Sequence, residues 1–199
     1  EIVLALIHPK KVFDLEFLEK LKAFHEDLEE EVPHLDEVQS IINVTSMRGE
    51  DGELIIEELM EDWPDDEKGI KELKDRVLSN KYYRNFLVSE DGQYTTVVVR
   101  SNAFSDYGKG MDQDEMLADG FEEDEGISIT EDDKPRLLTE EQNSEFVVAI
   151  QSLADRHRSK DFPIDLGGSP VMVHDLKKAM FSDMPVFVLA SLGVIALLL

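Results

Sequence analysis

The chain has 199 residues, of which 45 are acidic and 20 are Lys or Arg, so its formal charge at pH 7 is −25. This charge excludes nucleic acid as a ligand, because phosphates bind Lys and Arg, and it disfavours docking on anionic lipid headgroups. There is no cysteine, which excludes disulfides and thiolate metal sites and is compatible with a bacterial periplasm.

The N-terminal part alternates between strand and helix patterns. Asp14 is suited to cap a helix and Pro33 to end it. The apolar residues of that helix recur at helical spacing: Phe17, Leu21, Phe24 and Leu28. The predicted elements are a strand, this helix, a second strand and a further extended piece: Ile2–Ile7, Asp14–Glu31, Val38–Val44 and Glu53–Leu59.

A second helix is predicted after Pro64, capped by Asp65 or Asp66 and ending near Ser79. Its apolar stripe has four members: Ile70, Leu73, Val77 and Leu78. Two strands are predicted around the turn Glu90–Gly92: Phe86–Val88 and Tyr94–Arg100.

The composition changes between residues 106 and 133, where twelve acidic residues stand against the single base Lys109. Mutual repulsion and few apolar residues predict a mobile acidic insertion. A calcium loop of the EF-hand type is disfavoured, because counting from Asp112 places Met116 and Leu117 where an oxygen ligand and a glycine are needed. Loose binding of divalent cations stays open.

Regular structure is predicted again from Thr139, whose spacing to Gln142 is that of a capping box. One face of the helix Thr139–Lys160 carries apolar residues and a histidine: Phe146, Ile150, Leu153 and His157. A strand, Phe162–Leu166, and a turn, Gly167–Pro170, follow. Asp175 is then suited to cap a helix, Leu176–Asp183.

Residues 184–199 form an uncharged apolar run of sixteen residues that continues this last helix. A membrane-spanning helix needs about 20 apolar residues, so we expect the run to be the start of a truncated span. The chain also opens on Glu1 rather than methionine, and we expect it to be a fragment of a larger membrane protein, with residues 1–183 outside the membrane. The alternative is the buried C-terminal helix of a soluble domain, which the lack of any polar outer face disfavours.

Without the insertions, the predicted order is strand, helix, strand, strand, helix, strand. This is the ferredoxin-like split βαβ arrangement of an α+β fold, with the helix after Pro64 and its neighbouring hairpin inserted between the second and third core strands.

Four stretches of the chain, in this order, resemble the first extracytoplasmic loop of RND-superfamily exporters of the MMPL and Patched-like type. One is a strand that leaves through a Ser-x-Arg-Gly turn, and the last leads through an amphipathic helix towards a membrane span. The stretches are Val38–Gly49, Leu78–Tyr83, Leu87–Val97 and Gly168–Val171.

The resemblance implies a porter domain of a proton-driven exporter of hydrophobic or amphiphilic molecules such as lipids and drugs. It implies a bacterial inner membrane, with residues 1–183 on the periplasmic side. The implied partners are the second porter domain and transmembrane bundle of the same chain, membrane lipid around residues 184–199 and the amphiphilic substrate. A homo-oligomer stays open. The family's proton-relay residues lie on later spans, so no coupling residue is transferred.

No catalytic, cofactor or metal site is predicted. The five histidines never occur at the spacing of metal ligands: His8, His25, His34, His157 and His174. Pro170 breaks the nucleophile-elbow pattern around Ser169, which favours a simple turn. Four aromatic residues lie outside the helical stripes and are expected to fill a core rather than to face a substrate path: Trp63, Tyr82, Tyr83 and Phe86.

Two further functions are weighed against the exporter. An extracytoplasmic ligand-binding domain of a membrane-anchored receptor would show the same apolar run. A membrane-anchored enzyme is disfavoured by the lack of catalytic motifs.

Overall fold

The computed structural model describes residues 1–50, 53–102 and 138–198. The predicted acidic insertion, residues 106–133, lies outside them. Six strands and four helices are described: β1 Ile2–Ile7, α1 Leu15–Glu31, β2 Leu35–Gln39, β3 Thr45–Glu50, β4 Glu53–Glu58, α2 Glu67–Ser79, β5 Thr95–Ser101, α3 Glu140–His157, β6 Ile164–Gly167 and α4 Ser169–Leu198.

The fold is α+β, and its centre is a four-stranded antiparallel sheet with the strand order β2-β5-β1-β6. The longest pairing is that of β1 with β5, in which Ile2 lies opposite Arg100 and Ile7 opposite Thr95. The predicted strand Tyr94–Arg100 therefore pairs with the first strand as expected. Strands β3 and β4 form a separate hairpin.

One face of the sheet forms the core with α1 and α3. Val3, Ala5 and Ile7 of β1 are fully buried, and the predicted stripe of α1 is buried along its length. The two helices are also joined at the edge of the core, where Arg156 donates to both carboxylate oxygens of Glu31 at 2.5 and 2.8 Å.

The other face of the sheet is buried at Val98 and partly exposed along β1. Ile2, Leu4 and Leu6 point to this face with exposed fractions of 49, 40 and 39%. Strand β1 therefore carries apolar side chains on both of its faces. In most antiparallel sheets with one exposed face, the side chains on that face are polar.

The helix caps agree with the sequence. Asp14 and Asp66 accept backbone N–H groups at the starts of α1 and α2, and Thr139 and Gln142 form the capping box of α3. Each cap satisfies donors that a helix start leaves free.

Two predicted strands are wrong. The strand Val38–Val44 ends at Gln39, because Asn43 accepts the Ser40 N–H at 3.0 Å and donates to the Val38 carbonyl at 2.7 Å, which closes a turn. In Phe86–Val88 only Val88 is bridged, to Arg84 and to Thr95, because the Tyr83 carbonyl accepts three successive N–H groups from this stretch.

The last helix also differs from the prediction. It begins at Ser169 rather than at Leu176, so Asp175 lies inside it and does not cap it. Pro170 lies in the first turn, where the missing N–H costs nothing. Strand β6 begins two residues later and ends one residue later than the predicted Phe162–Leu166.

Helix α4 is the one described helix that is long and apolar enough to cross a membrane. Ser169–Ala196 contains an 18-residue window of mean hydropathy 1.8, none of it buried against the rest of the chain. This is consistent with membrane anchoring and contradicts the alternative of a buried C-terminal helix.

Candidate functional site at the base of helix α4

Several chain segments meet where α4 leaves the domain. The Ser101 N–H at the end of β5 donates to the Glu1 carbonyl at 2.9 Å. The first turn of α4 follows β6 after Gly168, and β6 pairs with Leu4–Ile7 of β1. The base of α4 is therefore connected to the central strands of the sheet.

Gly168 allows the start of α4 to approach β1 closely. It has a φ of +115°, and a Cβ at this position would lie 2.5 Å from the Ile2 carbonyl oxygen. Only glycine fits both the conformation and the space. The predicted turn Gly167–Pro170 is reduced to a bend at Gly168, because β6 includes Gly167 and α4 begins at Ser169. This bend places the start of α4 against β1.

Three polar pairs join α4 to α3 along about three turns of α3. Lys177 donates to Glu140, the hydroxyl of Ser144 lies 3.2 Å from His174 Nδ1, and Gln151 donates to Asp175 at 3.2 Å. Val171 adds an apolar contact and is only 6% exposed. These contacts fix residues 171–177 of α4 relative to the domain.

A cavity of about 260 Å³ lies between the two helices at this point. We call it the junction cavity. Its lining comes from α3, α4 and the start of the chain, and two of the lining residues are apolar, Pro170 and Val173. The lining residues are Glu1, Glu140, Asn143, Ser144, Ser169, Pro170, Val173, His174 and Lys177.

Asn143 distinguishes this cavity chemically. Its Oδ1 is the one buried side-chain N or O atom in the described residues that has no hydrogen-bond partner. Leaving such an acceptor unpaired costs about 1–3 kcal/mol. Glu140 and Lys177, which pair with each other, also line the cavity. The free acceptor of Asn143 is suited to a group that donates a hydrogen bond.

A second polar group lies in the core. The hydroxyl of Ser40 is 3.1 Å from His25 Nδ1, and His25 Nε2 is 3.2 Å from Glu29 Oε1. The order of groups resembles a catalytic triad, but Ser40 is fully buried and His25 is 2% exposed, so no substrate can reach the hydroxyl. The Ser40 oxygen also accepts the Ile42 N–H at 3.1 Å, so the group stabilises the turn after β2.

Burial lowers the pKa of His25 below its ordinary value of 6.5, and the neighbouring carboxylates of Glu29 and Glu26 oppose this shift only in part. The imidazole is therefore kept neutral in the core. The sequence gives one signal for this arrangement, the spacing of four residues between His25 and Glu29 on one helix face.

The other histidines are dispersed. His8, His34 and His157 each lie beside one carboxylate, those of Asp165, Glu145 and Asp27, at 3.1, 3.4 and 2.7 Å. No group of three or more metal-ligating side chains occurs within residues 1–50, 53–102 and 138–198.

The four aromatic residues outside the stripes divide into two pairs. Tyr83 is buried and donates its hydroxyl to the Thr45 carbonyl at 2.6 Å, and Trp63 is partly buried against the core. For these two the predicted core role is confirmed. Tyr82 and Phe86 are 73 and 54% exposed, so for them it is wrong.

The sequence did not indicate the junction cavity, because its lining comes from α3, α4 and the chain start, which are far apart in sequence. Asn143 in particular carries no local signal. Comparison with models of protein families, with curated proteins and with solved structures finds no match to this chain.

Proposed function

We propose that this chain is an extracytoplasmic porter domain of a proton-driven RND-type exporter of the MMPL and Patched-like type, which moves hydrophobic or amphiphilic molecules. On this proposal the domain has the ferredoxin-like split βαβ fold. The residues before Asp183 face the periplasm of a bacterial inner membrane, and the proton-coupling residues lie on other spans.

The observation that carries the proposal is the strand order. Strands β1, β2, β5 and β6 lie in the order β2-β5-β1-β6, with every neighbouring pair antiparallel. Helices α1 and α3 follow the first and third of these strands and cover one face. Two βαβ units interleaved in this manner are the arrangement expected of a ferredoxin-like domain.

The open face of the sheet supports the same proposal. An apolar strip at Ile2, Leu4 and Leu6, with charged residues such as Arg100 and Asp165 at its margins, suits packing against another domain. Interfaces between domains of one chain have apolar centres and polar rims of this kind. The second porter domain of the same polypeptide is the proposed occupant.

The mechanism on this proposal is rigid-body movement of the domain with α4. The helix runs from Ser169 to Leu198 without interruption, and Pro185 does not break it. Because the contacts to α3 fix the base of the helix, a tilt of the membrane segment is transmitted to the domain. A flexible tether would decouple the two.

The proposal is tested by loosening this joint. Insertion of Gly-Gly-Ser after Asp183 in the complete protein is expected to reduce efflux of a fluorescent amphiphile from cells by about tenfold, while the domain stays folded. The matched control is the same insertion after Glu61, between the exposed residues Glu61 and Asp62 of the loop that joins β4 to α2, which is expected to leave efflux unchanged.

Unchanged efflux of the Asp183 insertion at normal expression would contradict the coupling mechanism. If the intact protein moves no amphiphile or lipid, the exporter function itself is wrong, and a ligand-binding domain of a receptor becomes the better explanation.

A further inference from the structure

We infer that the end of the domain opposite α4 binds a compact anion, a ligand that carries a phosphate or diphosphate group, in a cavity lined by four lysines. We call it the lysine cavity. The inference is independent of the proposed transport, because it depends only on residues of the folded domain.

The lysine cavity has a volume of about 400 Å³ and lies between the loop after β1, the first turns of α2 and the turn before β5. Among the described residues, its lining contains four lysines and two acids: Lys10, Lys11, Lys71, Lys74, Glu67 and Asp91. In the whole chain the balance is reversed, with 45 acidic residues to 20 Lys or Arg. The excess of positive charge is therefore a local property of this cavity.

Two of these lysines are not neutralised by the protein itself. Glu67 precedes Lys71 by four residues, a spacing that favours ion pairs on a helix. Lys68 and Glu72 have the same spacing on α2 and pair at 3.5 Å. Lys71, in contrast, has no ion pair in the part of the chain that the structure describes, and neither has Lys11. Both ammonium groups therefore remain available to a ligand.

The other two lysines are held weakly. The ammonium of Lys74 lies 6.0 Å from the centre of the Phe13 ring, which also lines the cavity. Lys10 pairs with Asp161 at 3.1 Å, and both side chains are largely exposed. Because an exposed ion pair contributes little free energy, Lys10 can exchange this partner for a ligand.

One wall of the cavity is the turn before β5, which engages its own acid. The Ser89 hydroxyl donates to Asp91 at 2.6 Å and accepts the Gln93 N–H at 3.0 Å. Gly92 packs this turn on the floor of the cavity, since a Cβ there would lie 3.3 Å from the Phe13 ring. The carboxylate of Asp91 is thus occupied within its turn, and the cavity keeps an excess of positive charge.

The class of ligand follows from the cations and from their placement. Within the described lining every cation is a lysine, and an ammonium is a compact charge that suits phosphoryl oxygens, whereas planar carboxylates pair best with the fork of arginine. The lysines stand on two sides, at residues 10 and 11 of the loop and at residues 71 and 74 of α2, so a ligand between them needs more than one negative charge. Phe13 and Ile70 supply apolar contacts for an organic part.

A compact anion fits this chain better than a long polyanion. At physiological ionic strength charges are screened beyond about 8 Å. A phosphate or diphosphate within the cavity therefore responds mainly to the lysines. An acidic peptide long enough to leave the cavity also meets the surface of a chain with a net charge of −25, which repels it.

Bilayer lipid is a poor occupant because of where the cavity lies. Gly168, at the base of α4, approaches Ile2 at the start of β1. Lys10 and Lys11 follow the other end of β1, at Ile7. The strand between these ends spans about 17 Å, which exceeds the screening distance, so anionic headgroups around α4 do not reach the lysines.

The test uses the complete protein in dodecyl maltoside, with inorganic pyrophosphate as the probe and the ³¹P line width as the signal. Pyrophosphate is expected to broaden and to saturate. Raising sodium chloride tenfold is expected to weaken binding at least about tenfold, because the contacts are ionic. Hexaglutamate is expected to displace the probe only at an at least about tenfold higher concentration.

Variants locate the site. Lys71→Gln is expected to weaken pyrophosphate binding about fivefold, and the double variant Lys11→Gln/Lys71→Gln about twentyfold. The matched control is Lys68→Gln, on the same helix but outside the lining, which is expected to bind as the unmodified protein does. Melting temperatures verify that each variant remains folded.

Absence of line broadening in the unmodified protein would overturn the inference. Equal weakening by Lys68→Gln and Lys71→Gln would also overturn it, since this indicates general attraction to surface lysines. Displacement by hexaglutamate at the concentration of the probe would replace the compact anion by an acidic peptide and would overturn the assigned class of ligand.

Discussion

Helices α3 and α4 lie side by side, but they differ in the burial of their apolar side chains. Helix α3 buries Phe146, Val147, Ile150, Leu153 and Ala154 in the core. Helix α4 buries Val171 and leaves large side chains such as Met180, Phe187 and Leu189 more than 60% exposed.

The difference in burial depends on which surface is available to pack against the apolar side chains of each helix. The apolar residues of α3 recur on one face, and the sheet and α1 supply the matching surface. Those of α4 beyond Asp183 lie on all sides, which no single domain can cover. The apolar surface of α3 is an internal contact, whereas that of α4 requires lipid or another molecule.

The largest expected effect comes from truncating one aromatic side chain on each helix. Phe146→Ala removes a fully buried ring and is expected to cost about 3–5 kcal/mol of unfolding free energy. Phe187→Ala, where the ring is 73% exposed, is expected to change the stability of the domain by less than about 0.5 kcal/mol. Urea unfolding in mild detergent measures both. Similar losses in the two variants would show that α4 packs on the domain.

A smaller effect is expected where the two helices are brought together by the turn before α4. Gly168→Ala forces a left-handed residue to accept a Cβ beside the Ile2 carbonyl and is expected to cost about 1–3 kcal/mol. Gly167→Ala is the matched control, because a Cβ there meets nothing within 4 Å, and its effect is expected to be near zero. The melting temperatures of the two variants measure the difference. Equal melting temperatures would mean that α4 is not seated tightly on β1.

The smallest effect concerns the buried side of α1, through His25. Its folded pKa is lower than its unfolded value of about 6.5, so the unfolded chain binds more protons between the two values. Stability is therefore expected to be independent of this group above pH 6.5 and to fall as the pH drops from there to the folded pKa.

Urea unfolding at a series of pH values measures this dependence, with His25→Gln as the comparison because glutamine does not titrate. The variant is expected to lose less stability than the unmodified chain over the same interval of pH. Identical profiles would show that other groups cause the acid sensitivity.

Much of the fold could be predicted from local signals. The caps at Asp14 and Thr139 could be predicted, and that of α2 to within the pair Asp65 and Asp66, because each side chain acts on its own helix within three residues. The predicted strand Tyr94–Arg100 agrees with β5 to within one residue at each end, because its β-branched run favours extended backbone. The length and hydropathy of α4 likewise follow from composition alone.

The sequence by itself therefore determined the elements and their apolar faces, since these depend on neighbours along the chain. The strand after α1 ends at Gln39 because of a local contact of Asn43, which apolar periodicity does not indicate. Only the tertiary structure decided that α4 begins at Ser169 and that Asn143 lies unpaired beside Val173. Both depend on groups that folding brings together: a carbonyl of β1 that admits only glycine, and two helices that enclose a cavity. Local periodicity carries no record of such contacts.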